Sequence, residues 1–126
     1  MKPIIPVDVS AFAVDICRDL SMEQRERVAG PPERIDGHTI GIVSMECDAP
    51  HGGEIHPDGD EFLYVISGRL SITLESLPGE SLALGPGESC IIKCNEWHKV
   101  GVVEPTVLLH ITPGPNGDHR PIRHKS

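Results

Sequence analysis

The chain has 126 residues, a formal net charge of −8 and 38% apolar residues. That length fits one domain with room for a buried core, and the acidic balance argues against a nucleic acid or an anionic membrane surface as partner. Glycine and proline, at 13 and 12 residues, are close to twice their average usage, which indicates many short elements joined by turns.

The N-terminus, "MKPIIPVDVSAFAVD", has one lysine and early prolines and acids, unlike a secretory signal, and no apolar run approaches a membrane span. Cys17, Cys47, Cys90 and Cys94 form no CxxC pair. Free thiols and a cytoplasmic location are therefore expected. Next comes "DLSMEQRERVAGPP", where Ser21 and Gln24 stand as a capping box and Gly30-Pro31-Pro32 makes a stop. This predicts a short helix over residues 22–29.

From Thr39 onward the pattern changes to strands: "HTIGIVSMEC", "EFLYVISG", "RLSITLES", "ESCIIKC", "HKVGVV" and "TVLLHIT". Each is short, rich in β-branched or apolar residues and bounded by turn formers, which indicates an all-β antiparallel sandwich or barrel. The end, "PGPNGDHRPIRHKS", has no apolar periodicity and reads as a tail whose basic cluster is solvated. The predicted organisation is a single domain: an arm over 1–38, a barrel over 39–112 and a tail over 113–126, with no internal repeat.

The stretch "PHGGEIHPDGDEFLYVISG", Pro50–Gly68, concentrates the chemistry. Alternation along a strand puts Glu54 and His56 on one face. Pro57-Asp58-Gly59-Asp60 has the composition of a turn, so Glu61 is expected to open a partner strand close to His56, as in a hairpin. An imidazole and a carboxylate opposed in this way can hold a divalent metal, given a third ligand from elsewhere. "GPGESCIIKCNEWHKV" offers His98 after a turn, a strand and a second turn.

With these two stretches in view, the chain resembles a small single-domain cupin. His56-x4-Glu61-x6-Gly68 matches the latter part of that family's first motif, and Gly87-x5-Lys93-x-Asn95-x2-His98 follows the frame of its second. The resemblance implies an antiparallel double-stranded β-helix, or jelly-roll, barrel. It also implies a metal held by His56, Glu61 and His98, and pairing of barrels into a homodimer. Glu54 occupies the position of the first motif histidine, and Lys93, Asn95 and Val102 replace the usual Pro, Gly and final Asn. Two histidines and one carboxylate suit non-haem Fe(II) with open positions. Glu54 as a further ligand favours harder ions, iron or manganese, over copper, with zinc or nickel as alternatives. Glu54 off the metal is a candidate catalytic base.

His51, ahead of Gly52-Gly53, is a rival for the vacant ligand position, because a bulge there could turn its ring inward. His110 and Trp97 are candidate pocket residues, each with simple packing as the plainer reading. Cys90, Cys94 and His98 invite a zinc reading that strand spacing disfavours. "FLYVI" is apolar on both faces, so its outer face needs a cover, and a second copy of the chain supplies one. Ring-cleaving dioxygenases among the cupins are similar in using a His/Glu/His set. The resemblance thus implies dioxygenase-type chemistry on a small organic molecule. Non-redox lyase or isomerase chemistry and non-catalytic ligand binding are the alternatives.

Overall fold

The computed structural model describes residues 3–123. Nine strands build it, and among the described residues there is no helix: β1 (Phe12–Cys17), β2 (Met22–Glu26), β3 (Gly37–Met45), β4 (Glu54–Ile55), β5 (Glu61–Leu74), β6 (Leu82–Leu84), β7 (Ser89–Ile92), β8 (His98–Gly114) and β9 (Asp118–His119). All pairings are antiparallel. The order β2-β1-β3-β8-β4-β9 forms one path, and β5 pairs with β6, β7 and β8. The long strands β5 and β8 carry the barrel, pairing with one another along most of their length. Among the described residues no helix is long and apolar enough to cross a membrane.

The helix expected over 22–29 is a strand. Met22–Glu26 pairs antiparallel with β1, from Ile16↔Met22 to Phe12↔Glu26. The capping signal is used differently. Asp19 accepts hydrogen bonds from the Ser21 N–H (2.9 Å) and hydroxyl (2.6 Å), and Leu20 takes a φ of 72°, which closes a hairpin in place of a helical first turn. A helix that short, with no apolar stripe in "MEQRERVA", has no packing to stabilise it. In the strand, by contrast, Arg25 meets the buried Asp15 through both carboxylate oxygens, at 2.8 and 3.0 Å, and Asp15 also accepts from the Thr39 hydroxyl at 2.7 Å.

"EFLYVISG" and "RLSITLES" merge into β5, and "HKVGVV" and "TVLLHIT" merge into β8. The junction in β5 is a bulge between Val65 and Leu70, with Gly68 at a φ of 89°. The bulge shifts parity by one residue. Glu61, Leu63 and Val65 point inward before it, and Leu70 and Ile72 after it, so both halves face one core. That core is Leu63, Val65, Leu70, Ile72, Leu84, Ile92 and Leu108, edged by Val43, Met45, Val100 and Val102.

The turn at Pro57–Asp60 forms, but the strands beside it do not pair as a hairpin. β4 pairs with β8 and β9, whereas β5 pairs with β6, β7 and β8. The turn crosses from one side of the barrel to the other, fastened by Asp58, which accepts from the N–H and side-chain amide of Asn116 at 2.6 and 2.8 Å. Beyond β8 the chain returns to the barrel, with Asp118–His119 laid against β4. The cluster expected to be solvated is therefore engaged in part: Arg120 stacks 3.9 Å above the Trp97 ring and pairs with both oxygens of Glu75. His124 and Lys125 lie outside the described residues.

Candidate metal centre

Sheet register sets up the site. Glu54 on β4 is directly opposite His98 on one side and His119 on the other, and directly opposed residues hold their Cβ atoms roughly 5 Å apart. His56 lies two residues beyond Glu54, on the same face. Glu61 opens β5 and points inward because Leu63 and Val65 follow it with the same parity. The result is one group in which Glu54, His56, Glu61 and His98 each bring a ligand atom within 4.8 Å of the others. His56, Glu61 and His98 are buried, and Glu54 is partly so.

The hydrogen bonds around this group orient its donors. His98 Nδ1 is 3.0 Å from the Glu96 carbonyl, so it carries a proton and donates, which turns Nε2 toward the cluster. There Nε2 is 3.1 Å from Glu61 Oε1 and 3.3 Å from Glu54 Oε1. Two carboxylates facing one imidazole nitrogen demand a cation at that point. Without a metal, a proton fills the role. Desolvation lowers the His98 pKa, but the hydrogen bonds to Glu54 and Glu61 outweigh it and push it up to about 10. For Glu54, desolvation acts upward, and the imidazoles of His56 and His98 beside it outweigh that and hold the carboxyl well below the usual carboxylate range.

His56 differs from His98. Both of its ring nitrogens are buried and lack a hydrogen-bond partner. Its Nε2 sits 3.4 Å from Glu54 Oε1 and 3.5 Å from Glu61 Oε2, close without bonding. A buried imidazole left unpaired is costly, and an ion between these atoms would take up Nε2. Two imidazoles and two carboxylates converging in this way fit a divalent metal.

Further residues support the centre. The Thr112 hydroxyl donates to Glu61 Oε2 at 2.6 Å, so its oxygen accepts from His110 Nδ1–H at 2.8 Å. Burial, together with the Arg34 guanidinium, pulls His110 down to about 4, which keeps it neutral. The cluster opens on a cavity of about 480 Å³ with a largely apolar wall that includes Val43, Met45, Leu63, Val100 and Leu108.

The other expected residues divide. His110 and His51 both line the cavity. His51 does not join the four-residue group. Its Nδ1 donates to the Gly53 carbonyl at 2.9 Å, its ring lies 4.4 Å from that of His119, and it forms a second group with Glu54 and His119. Trp97 is not in the cavity wall and serves as the platform for Arg120. Cys90 and Cys94 join neither donor group among the described residues. Sequence reasoning missed Arg34, Thr112 and His119. Arg34 and His119 come from the supposed arm and tail, and neither carries a motif. Thr112 was legible in principle, since it shares strand parity with His110.

A β-barrel with an inward-facing imidazole and carboxylate cluster at its cavity defines the class. The sequence profile of the cupin domain matches residues 41–112, and the chain belongs to that family. Solved structures agree on the fold. A conserved protein of unknown function from Streptococcus pyogenes is 23% identical over 67% of this chain and 69% of its own, with a TM-score of 0.55. A cupin-2 domain containing protein from Shewanella frigidimarina is 22% identical over 71% of this chain and 85% of its own, with a TM-score of 0.54. Oxalate decarboxylase from Bacillus subtilis, a protein with Mn(II) centres, is 23% identical over 65% of this chain but only 23% of its own, with a TM-score of 0.54. A comparison with curated protein sequences gives no match.

Proposed function

We propose that this cupin is a cytoplasmic, metal-dependent enzyme acting on a small organic molecule, with dioxygenase-type chemistry at an iron or manganese ion. The observation that carries the reading is the unpaired, buried His56 imidazole facing Glu54, Glu61 and His98, which line the cavity. His56, Glu61 and His98 supply the two-histidine, one-carboxylate set, and Glu54 Oε1 adds a second negative charge that suits a hard divalent ion. Bound there, such an ion supplies open positions for O2 and substrate, or Lewis acidity toward an oxygen atom.

The protein's own residues do the rest. Glu96 fixes the tautomer of His98, and Thr112 fixes the rotamer of Glu61. Glu54 Oε2 faces His119 at 3.8 Å, on the cavity wall. The apolar wall limits water around the substrate. The four free cysteines accord with a reducing compartment.

Metal analysis combined with oxygen uptake tests the reading. Stoichiometric iron or manganese with substrate-dependent O2 consumption is the expected result. Zinc or nickel without redox turnover replaces it with a non-redox lyase or isomerase, or a ligand-binding protein. That second reading has its own support: two carboxylates beside neutral His110 could shuttle a proton without any change of oxidation state. Absence of any bound divalent ion overturns both metal-dependent readings.

A further inference from the structure

Arg34 is the residue the centre does not use. It lies outside the matched cupin domain, on the segment leading into β3, yet it lines the cavity beside Glu54, Glu61 and His110. Its Nη1 is buried with no hydrogen-bond partner, and it takes part in none of the ion pairs among the described residues. Gly114 lets its stem approach: a Cβ added there would stand 2.5 Å from the Arg34 Cβ. The nearby carboxylates are already committed, Glu61 to His98 and Thr112, and Glu54 to His98. Lys99, the other cation of the cavity wall, is paired with Asp48 at 3.4 Å.

An unpaired guanidinium in an apolar cavity is costly, and an anion that enters removes the cost. Charge balance sets the valence of that anion. A divalent ion held by Glu54 and Glu61 balances both carboxylates by itself, which leaves Arg34 with one uncompensated positive charge.

We infer that the cavity takes a small monocarboxylate with an apolar body, whose carboxylate is held by Arg34 and whose body lies against Val43, Met45, Leu63, Val100 and Leu108. This rests on the metal-dependent reading above, since the metal frees the charge of Arg34. Phosphate monoesters carry more charge than the site leaves open. Neutral isosteres forfeit a charge-assisted hydrogen bond.

The test begins with metal stoichiometry of the full chain, followed by calorimetric titration of the metal-loaded and metal-free protein. The probes are straight-chain carboxylates from acetate to octanoate and benzoate, with benzamide and phenyl phosphate as comparisons. Loaded wild type is expected to bind the longer carboxylates and benzoate, and to prefer benzoate over benzamide by about ten- to a hundredfold. The metal-free protein should bind benzoate more weakly. Arg34→Gln should bring the benzoate-to-benzamide ratio close to one at unchanged metal stoichiometry, and Arg34→Lys should restore part of it. A purely structural role for Arg34 would weaken both probes alike and spare the ratio. A fully metal-loaded protein that binds no carboxylate, prefers phenyl phosphate, or keeps its ratio in Arg34→Gln overturns the inference and leaves the metal reading standing. Failure to take up metal strikes that reading instead. Arg34-dependent benzoate binding of equal strength with and without metal overturns the charge argument.

Discussion

Glu54 has two oxygens and two sets of partners: Oε1 lies with His56 and His98, and Oε2 lies toward His119. Replacing it with glutamine keeps the shape and removes the charge. Glu54→Gln is expected to lower affinity for Mn(II) and Fe(II) by about tenfold or more, and Glu54→His to shift preference toward zinc and copper. Competition titrations of the four ions against wild type and both variants measure this. Identical affinities in all three proteins would remove Glu54 from the centre. A second prediction concerns protons. With its pKa raised to about 10, His98 holds a proton that any metal must displace. Metal affinity should therefore rise by about tenfold per pH unit from about pH 7 up to about pH 10, then level off. Stability of the metal-free protein has the opposite sign. A folded pKa above the ordinary value of 6.5 gives stabilisation that is complete below that value and is lost as pH rises through about 10. Chelator competition and urea unfolding across this range check the two slopes. A flat affinity profile would show that His98 is not a ligand.

At the scale of elements, the bulge in β5 decides whether one strand can serve two halves of a barrel. Gly68 sits there at a φ of 89°, and a Cβ would fall 2.2 Å from the Pro105 carbonyl oxygen and 2.6 Å from the Thr106 Cα. Both contacts are backbone and cannot swing away. Gly68→Ala is expected to cost more than about 2 kcal/mol in urea unfolding, from strain and collision together. A cost below about 0.5 kcal/mol would mean that the bulge tolerates a side chain. The same strand shows how far local signals reach. Alternation by itself puts Glu61, Leu63 and Val65 on one face, while the parity shift that turns Leu70 and Ile72 to the same core depends on the bulge. In β2, the capping pattern at Ser21 and Gln24 named a helix, yet cross-strand pairing with β1 and the buried Asp15 outweighed it.

At the scale of the whole molecule, the outer face of the barrel is left apolar. Tyr64 is 37% exposed, Ile66 43% and the neighbouring Ile91 64%, although Glu61, Leu63 and Val65 on the other face of β5 are buried. We propose that a second copy of the chain covers this face. Sedimentation at micromolar concentration should give twice the mass of the chain, and Ile66→Lys combined with Ile91→Lys should return it to a single chain. A monomeric wild type would contradict the homodimer.

The sequence by itself determined the barrel class, because runs of β-branched and apolar residues between turn formers are local patterns with a local cause. It also singled out His56, Glu61 and His98 as candidate ligands, because the family motif encodes their spacing along the chain. It did not determine how those residues come together. The expected hairpin across Pro57–Asp60 does not form. Glu54 meets His98 and His119 as a cross-strand neighbour instead, through strands 44 and 65 residues away in the chain. Arg34 and Thr112 belong to the same class of facts: one reaches the cavity from the arm, and the other holds Glu61 from the far end of β8. Only the tertiary structure decided these contacts. Register between distant strands is set by the burial of a common core, and no pattern within a single segment records it.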